Sequence, residues 1–210
     1  MIFTAFSSGP CVTNTYLAWC EETKKAFVVD VPPGSLARLL QVLEKENLVL
    51  ERILLTHSHW DHIGDVKALQ KATGAKVFIH QLDAGNVKQP GSDGLPLYVP
   101  IEGTTPDAFL EEGDRFFIGK IELLVLFTPG HTPGGVSFYL PGEKILFSGD
   151  TLFKKSMGRI DFPTSNPDSM WKSLLKLSRL PLDTKVLSGH GEPTTIGEEK
   201  WIVDAKKRFT

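Results

Sequence analysis

The run Thr56-His57-Ser58-His59-Trp60-Asp61-His62 follows directly on the apolar triplet Ile53-Leu54-Leu55. An apolar strand that opens into three imidazoles and a carboxylate commits one edge of the fold to polar chemistry. Side-chain spacing at the strand end turns His57 and His59 the same way, while Asp61 and His62 face a second point. That arrangement reads as a metal-binding loop rather than a solvated turn.

Three later positions supply what such a loop lacks. They are His131 in Thr128-Pro129-Gly130-His131-Thr132, Asp150 in Ser148-Gly149-Asp150-Thr151 and His190 in Ser188-Gly189-His190-Gly191. Each follows an apolar run that reads as a strand, so strand ends deliver all of them. His80 is the histidine left over, and it reads as structural. Structural zinc sites are closed by four ligands and favour cysteine, whereas five imidazoles and two carboxylates exceed the needs of one ion.

A length of 210 residues suits one domain spanning 1–210, long enough to bury a large core. The formal net charge of −2 gives no field that calls for nucleic acid or an anionic membrane, and Lys206-Lys207-Arg208 reads as a solvated helix end. The first residues show no basic segment followed by a long apolar stretch, and no window reaches a membrane span, so a cytoplasmic protein is expected. Cys11 and Cys20 read as small buried residues.

Along the chain, residues 2–6, 15–20 and 26–29 form an opening antiparallel meander. Asp30 closes its third strand before Val31-Pro32-Pro33, where a carboxylate caps a turn. Leu36, Leu39, Leu40 and Leu43 predict a helix over 35–46 with Ser35 as N-cap, followed by a strand over 52–56. Val66 and Leu69, with Gly74 at the end, predict one helix starting near His62 or Ile63. Residues 77–79 form a short strand. The Pro- and Gly-rich stretch 89–105 is either a surface excursion or a flap in which Leu97, Tyr98 or Val99 touches substrate. Hairpins are expected over 116–127 and 136–147, each of whose strands, with the strand at 186–187, delivers a ligand. Helices are expected around Met170 to Leu177 and over 198–205, the latter with Trp201, Ile202 and Ala205 inward. Strands grouped in each half, followed by helices, fit two sheets packed face to face.

This constellation resembles the metallo-β-lactamase superfamily, whose His-x-His-x-Asp-His loop, distant His, bridging Asp and last His are matched by His57, His59, Asp61, His62, His131, Asp150 and His190. The resemblance implies the mixed α/β (α+β) class, as a four-layer αββα sandwich with its metals on loops along one sheet edge. It divides the ligands into His57, His59 and His131 on one ion and Asp61, His62 and His190 on the other, with Asp150 bridging. Asp61 and Asp150 thereby enter catalysis. It also sets Asp30 behind the metal loop as a supporting partner. Two Zn2+ per chain are implied, with iron or manganese also suited to imidazole and carboxylate. Such ions, about 3.5–4 Å apart, acidify a shared water and polarise a carbonyl.

Within the superfamily, Gly149-Asp150-Thr151-Leu152-Phe153 followed by Gly158-Arg159-Ile160-Asp161-Phe162-Pro163 looks like the short glyoxalase II-like hydrolases. The implied partner is a small glutathione-derived thioester, S-D-lactoylglutathione, cleaved to glutathione and D-lactate. Arg159 falls where the longer enzymes place a substrate-binding lysine, while Lys154 and Lys155 read as surface charges. The longer enzymes add a C-terminal helical domain that would begin about where this chain ends. Asp161 and the Gly189-His190-Gly191-Glu192-Pro193 stretch replace two of their substrate-contacting tyrosines, which points to a less selective thioesterase.

The main alternative is a persulfide dioxygenase with one iron on His57, His131 and Asp150. β-Lactamases usually lack equivalents of Asp61 or Asp150 in these roles, and flavodiiron proteins carry glutamate at the position of His59. RNA processing would need a basic exosite that the sequence does not show. Nothing in the sequence reports the oligomeric state.

Overall fold

Period-two burial assigns each strand to its layer. In Thr13–Trp19 (β2) and Lys25–Val29 (β3), Leu17, Trp19 and Val28 face one way, while Tyr16, Ala18, Phe27 and Val29 face the other. Both faces are buried, so helices must cover one side and a second sheet the other. The computed structural model describes residues 1–209 and contains both coverings.

The first sheet has the order β1-β2-β3-β4-β5-β6, with Ile2–Ser8 as β1, Val49–Leu54 as β4, Lys76–His80 as β5 and Ala108–Leu110 as β6. The meander over β1 to β3 is antiparallel as expected, but β3 to β6 pair in parallel. Leu36–Lys45 (α1) and Val66–Thr73 (α3) lay Leu39, Leu43, Val66 and Leu69 on its outer face. The second sheet runs β12-β11-β10-β9-β8-β7, formed by Arg115–Ile118 (β7), Ile121–Phe127 (β8), Val136–Leu140 (β9), Ile145–Gly149 (β10), Lys185–Ser188 (β11) and Thr194–Thr195 (β12). Phe138, Phe147 and Leu187 interleave with Phe27 and Leu54 between the sheets. Pro167–Leu177 (α5) and a 3-10 turn over Lys200–Asp204 cover the far side with Met170, Leu174 and Ile202. The result is the αββα sandwich. Among the described residues no helix is long and apolar enough to cross a membrane.

Local details depart from expectation where tertiary partners replace local ones. Ser35 precedes α1 without a side-chain cap; Asp65 accepts from the Leu36 N–H instead, at 2.9 Å. The helix after the His loop is broken into Trp60–Ile63 (α2) and α3, because Asp65 N–H turns back to the Val31 carbonyl at 3.0 Å. Gly74 ends α3 in the left-handed conformation, as the sequence implies. Ala84–Lys88 (α4) and β6 were not foreseen, and the last helix is a 3-10 turn followed by Ala205–Phe209 (α6). In the second sheet only β8, β10 and β11 lead into the predicted ligands; β7 and β9 do not. Cys20 is buried, but Cys11 is exposed.

Candidate metal centre

Parallel pairing gathers the ligand loops. β4 lies parallel to β3, and β10 parallel to β11, so their C-terminal ends share one edge. β8 joins them because it and β10 are both antiparallel to β9. Two backbone bonds stitch the sheets together there: Val136 N–H to the Thr56 carbonyl at 2.8 Å and Asn14 N–H to the Gly189 carbonyl at 2.7 Å. Gly189 must be glycine, since a Cβ would come within 2.2 Å of Asp150 Oδ1 and 2.7 Å of the His62 ring.

All seven predicted donors meet at this edge. His57, His59 and His131 offer ligand atoms within 4.8 Å of one another, as do Asp61, His62 and His190. Asp150 lies between the groups: Oδ1 is 3.4 Å from His62 Nε2, and Oδ2 is 3.4 Å from both His131 Nε2 and His190 Nε2. His80 stays apart, stacked on Phe127 at 4.4 Å and accepting from Leu82 N–H.

Hydrogen bonds fix which nitrogen carries each proton. The Arg159 and Cys11 carbonyls can only accept, so His131 Nδ1–H and His190 Nδ1–H donate to them at 2.7 and 3.2 Å. Asp30 Oδ2 accepts from His62 Nδ1–H at 2.8 Å. Thr56 Oγ1 donates to the same Oδ2 at 2.7 Å, which leaves its lone pair for His57 Nδ1–H at 3.0 Å. Four imidazoles therefore turn Nε2 inward, where a cation on His190 must displace the proton that Asp150 and Asp61 hold. His57 Nε2, His59 Nε2, His131 Nε2 and Asp150 Oδ1 are buried without a hydrogen-bond partner. Unpaired buried acceptors in such number are costly, and divalent cations on this all-oxygen-and-nitrogen donor set satisfy them.

Electrostatics agree. Burial drives the His57 imidazole well below its ordinary value and His59 to about 3, with neighbouring imidazoles adding to the effect. Burial opposes charge on Asp61, but His62 and the His190 contact outweigh it and bring the carboxyl down to about 2. Burial likewise opposes protonation of His190, yet Asp150 and Asp61 raise it to about 9.

Three supports lay outside the sequence reading. Thr13 Oγ1 donates to Asp61 Oδ2 at 2.6 Å, and Asn14 Nδ2 holds the His190 loop through the Ser188 and Gly191 carbonyls at 3.0 and 2.9 Å. Asp83, also buried, accepts from Ser58 N–H at 3.0 Å and Gly134 N–H at 2.6 Å, tying the His57–His59 loop to the His131 loop. No periodicity or spacing marks these residues.

The centre floors a cleft of about 410 Å³, walled by Trp60, Leu95, Tyr98, Phe153, Met157 and Phe162. Of the flap residues Leu97, Tyr98 and Val99, it is Tyr98 that lines the cleft, with Leu95 and Pro96 beside it. Arg159 lines the rim, its guanidinium 4.4 Å above the Phe162 ring and paired with Asp161 through bonds of 2.9 and 2.8 Å.

Comparison with known proteins agrees with this geometry. Residues 8–190 match the family model of the metallo-beta-lactamase superfamily. The hydroxyacylglutathione hydrolase GloC of Haemophilus influenzae is 36% identical over 194 residues, covering 89% of each chain. Among solved structures, BLEG-1 B3 metallo-beta-lactamase is similar with a TM-score of 0.87 and 37% identity, covering 94% of this chain and 96% of that one. TTHA1623 in a di-iron-bound form gives 0.81 and 36%, covering 93% and 96%. ETHE1 from Myxococcus xanthus gives 0.81 and 31%, covering 97% and 83%. A strand-end His/Asp cluster on an αββα frame, matched over nearly its whole length by such proteins, makes this chain a metal-dependent hydrolase of the metallo-beta-lactamase superfamily.

Proposed function

We propose that the chain hydrolyses thioesters with two divalent cations, and that S-D-lactoylglutathione is its substrate. The carrying observation is the position of Asp150, whose carboxylate faces imidazoles of both donor groups. In this reading His57, His59 and His131 hold one ion, Asp61, His62 and His190 hold the other, and Asp150 spans them. Bound there, zinc, iron or manganese supplies an acidified water and a Lewis acid for the thioester carbonyl.

The chain's own groups do the rest. Asp30 and Thr56 hold His62 and His57 in the liganding tautomer, and Thr13 holds Asp61. The aromatic walls exclude bulk water from the acyl half of the substrate. A thiolate leaves with little need of a proton donor. Arg159 is the proposed contact for a glutathione carboxylate, with Asp161 as its competitor. The relationship to GloC of Haemophilus influenzae supports this substrate class.

Similarity to ETHE1 supports a second reading, oxidation of a persulfide at one iron on His57, His131 and Asp150. Metal content by mass spectrometry, with thioester hydrolysis, a β-lactam control and oxygen uptake on glutathione persulfide measured on the same sample, separates the two. Two ions per chain with thioester turnover is the expected result. One iron with oxygen uptake and no thioester turnover would establish the dioxygenase instead.

A further inference from the structure

Beside the metal cleft opens a second pocket of about 400 Å³. It shares Phe153 and His190 with the cleft and is otherwise walled by Lys154, Lys155, Ser156 and the Gly191-Glu192 segment. The Phe153 ring stands edge-on to His190, with centroids 5.9 Å apart, and divides the two spaces. Whatever extends from the metals past Phe153 enters this second space.

Its lysines are presented by a tight turn. Phe153 N–H donates to the Ser156 carbonyl at 2.8 Å, and Ser156 N–H returns to the Phe153 carbonyl at 3.3 Å. Lys155 sits in the left-handed region at φ +61°, unfavourable for a side chain with a Cβ. A buried carboxylate holds it there. Glu199, 1% exposed, accepts from Lys155 N–H at 2.8 Å and from Trp201 Nε1–H at 2.6 Å through Oε2, and from Thr194 Oγ1 at 2.6 Å through Oε1. The Glu199 contacts thus hold in place the turn that carries Lys155 beside the cleft.

The three nearby cations differ in what occupies them. Arg159 is matched by Asp161, so an incoming carboxylate there meets a pair of zero net charge. Lys154 is matched by Glu192 at 2.9 Å. Lys155 has neither an ion pair nor a side-chain hydrogen bond among the described residues. The pocket wall itself presents two ammoniums and one carboxylate, while the Glu199 carboxylate lies buried behind the turn with its oxygens engaged by three donors.

We propose that this second pocket binds a carboxylate on the thiol half of the substrate, with Lys155 as its anchor, so that Lys155 sets the preference for anionic over neutral thiols. The inference rests on the thioester reading above and adds the pocket and the residue that select among leaving thiols.

The test uses Lys155→Gly, which removes the ammonium while tolerating the positive φ, and Lys155→Arg, which keeps the charge. Two lactoyl thioesters with the same acyl half are compared, one of glutathione and one of uncharged N-acetylcysteamine. Lys155→Gly is expected to raise KM for the glutathione thioester about tenfold with kcat unchanged, as loss of one charge-assisted contact would do. KM for the N-acetylcysteamine thioester stays put, and Lys155→Arg restores the wild-type values. An equal change for both thioesters, or none for either, overturns the proposal. Calorimetric titration of glutathione into the metal-loaded protein keeps the two readings apart. If wild type hydrolyses neither thioester, the hydrolase substrate fails. Weaker glutathione binding by Lys155→Gly then still supports the pocket, and unchanged or absent binding overturns it.

Discussion

Asp30 reaches both donor groups at once, directly through His62 and through the Thr56 hydroxyl to His57. Asp30 Oδ1 also accepts from Thr56 N–H at 2.8 Å, so the amide of Asp30→Asn must turn its NH2 either onto that N–H or onto the His62 and Thr56 hydroxyl protons, and it loosens the imidazoles in either case. Cation affinity should fall about 10- to 100-fold, read by competition with a chromophoric chelator. Unchanged affinity would remove Asp30 from the site. At the rim, Arg159→Ala should raise KM for the glutathione thioester several-fold while kcat holds, as for a contact made equally in ground and transition states. Asp161→Asn should lower KM by freeing the guanidinium. Steady-state kinetics showing no KM change in either variant would exclude Arg159 as a substrate contact.

The elements owe their positions to long-range clasps as much as to their own patterns. Asp83 precedes α4 yet joins two ligand loops, and burial raises its carboxyl above the ordinary range. Asp83→Ala strands two buried N–H groups and should cost about 3 kcal/mol of stability, measured by urea unfolding. Loss of no more than a few tenths would mean that the loops hold without it. The contrast with the ligands explains what could be read in advance. His57, His131, Asp150 and His190 each follow an apolar run by two to four residues, and His59, Asp61 and His62 share the loop that His57 opens, so a local signal made these residues and the strands that carry them legible. Thr13, Asn14 and Asp83 act across separations of 48, 174 and 51 residues, and their neighbours in sequence carry no trace of the partner. The broken helix at Gly64-Asp65 was hidden for the same reason, since Val66 and Leu69 keep their spacing whether or not the preceding turn is continuous. Parallel pairing of β3 with β4, by contrast, accords with the crossover helix that the leucine spacing over 35–46 predicts.

For the molecule as a whole, protons and cations compete for the same centre. Stripped of metal, the fold gains from a proton on His190, whose value rises from 6.5 to about 9. That stabilisation is complete below pH 6.5 and is lost as pH rises toward 9. The Asp61 contribution is present above pH 3.8 and is lost as pH falls toward 2. Chelator-treated protein should therefore melt at a higher temperature at pH 6 than at pH 9, while cation binding tightens over the same rise because it must displace the proton. Calorimetric melting with and without added zinc checks both slopes, and a metal-free melting temperature that does not fall between pH 6 and 9 would contradict the first.

Each donor triad draws two residues from the first sheet and one from the second: His57 and His59 with His131, Asp61 and His62 with His190. Neither half of the sandwich owns a complete set. The centre thus works as a rivet through a seam, and its occupancy reports that both halves are docked. A chain with one sheet formed and the other open has no tight site, so metal release and separation of the layers should occur as one event, and partly folded copies hold no reactive centre.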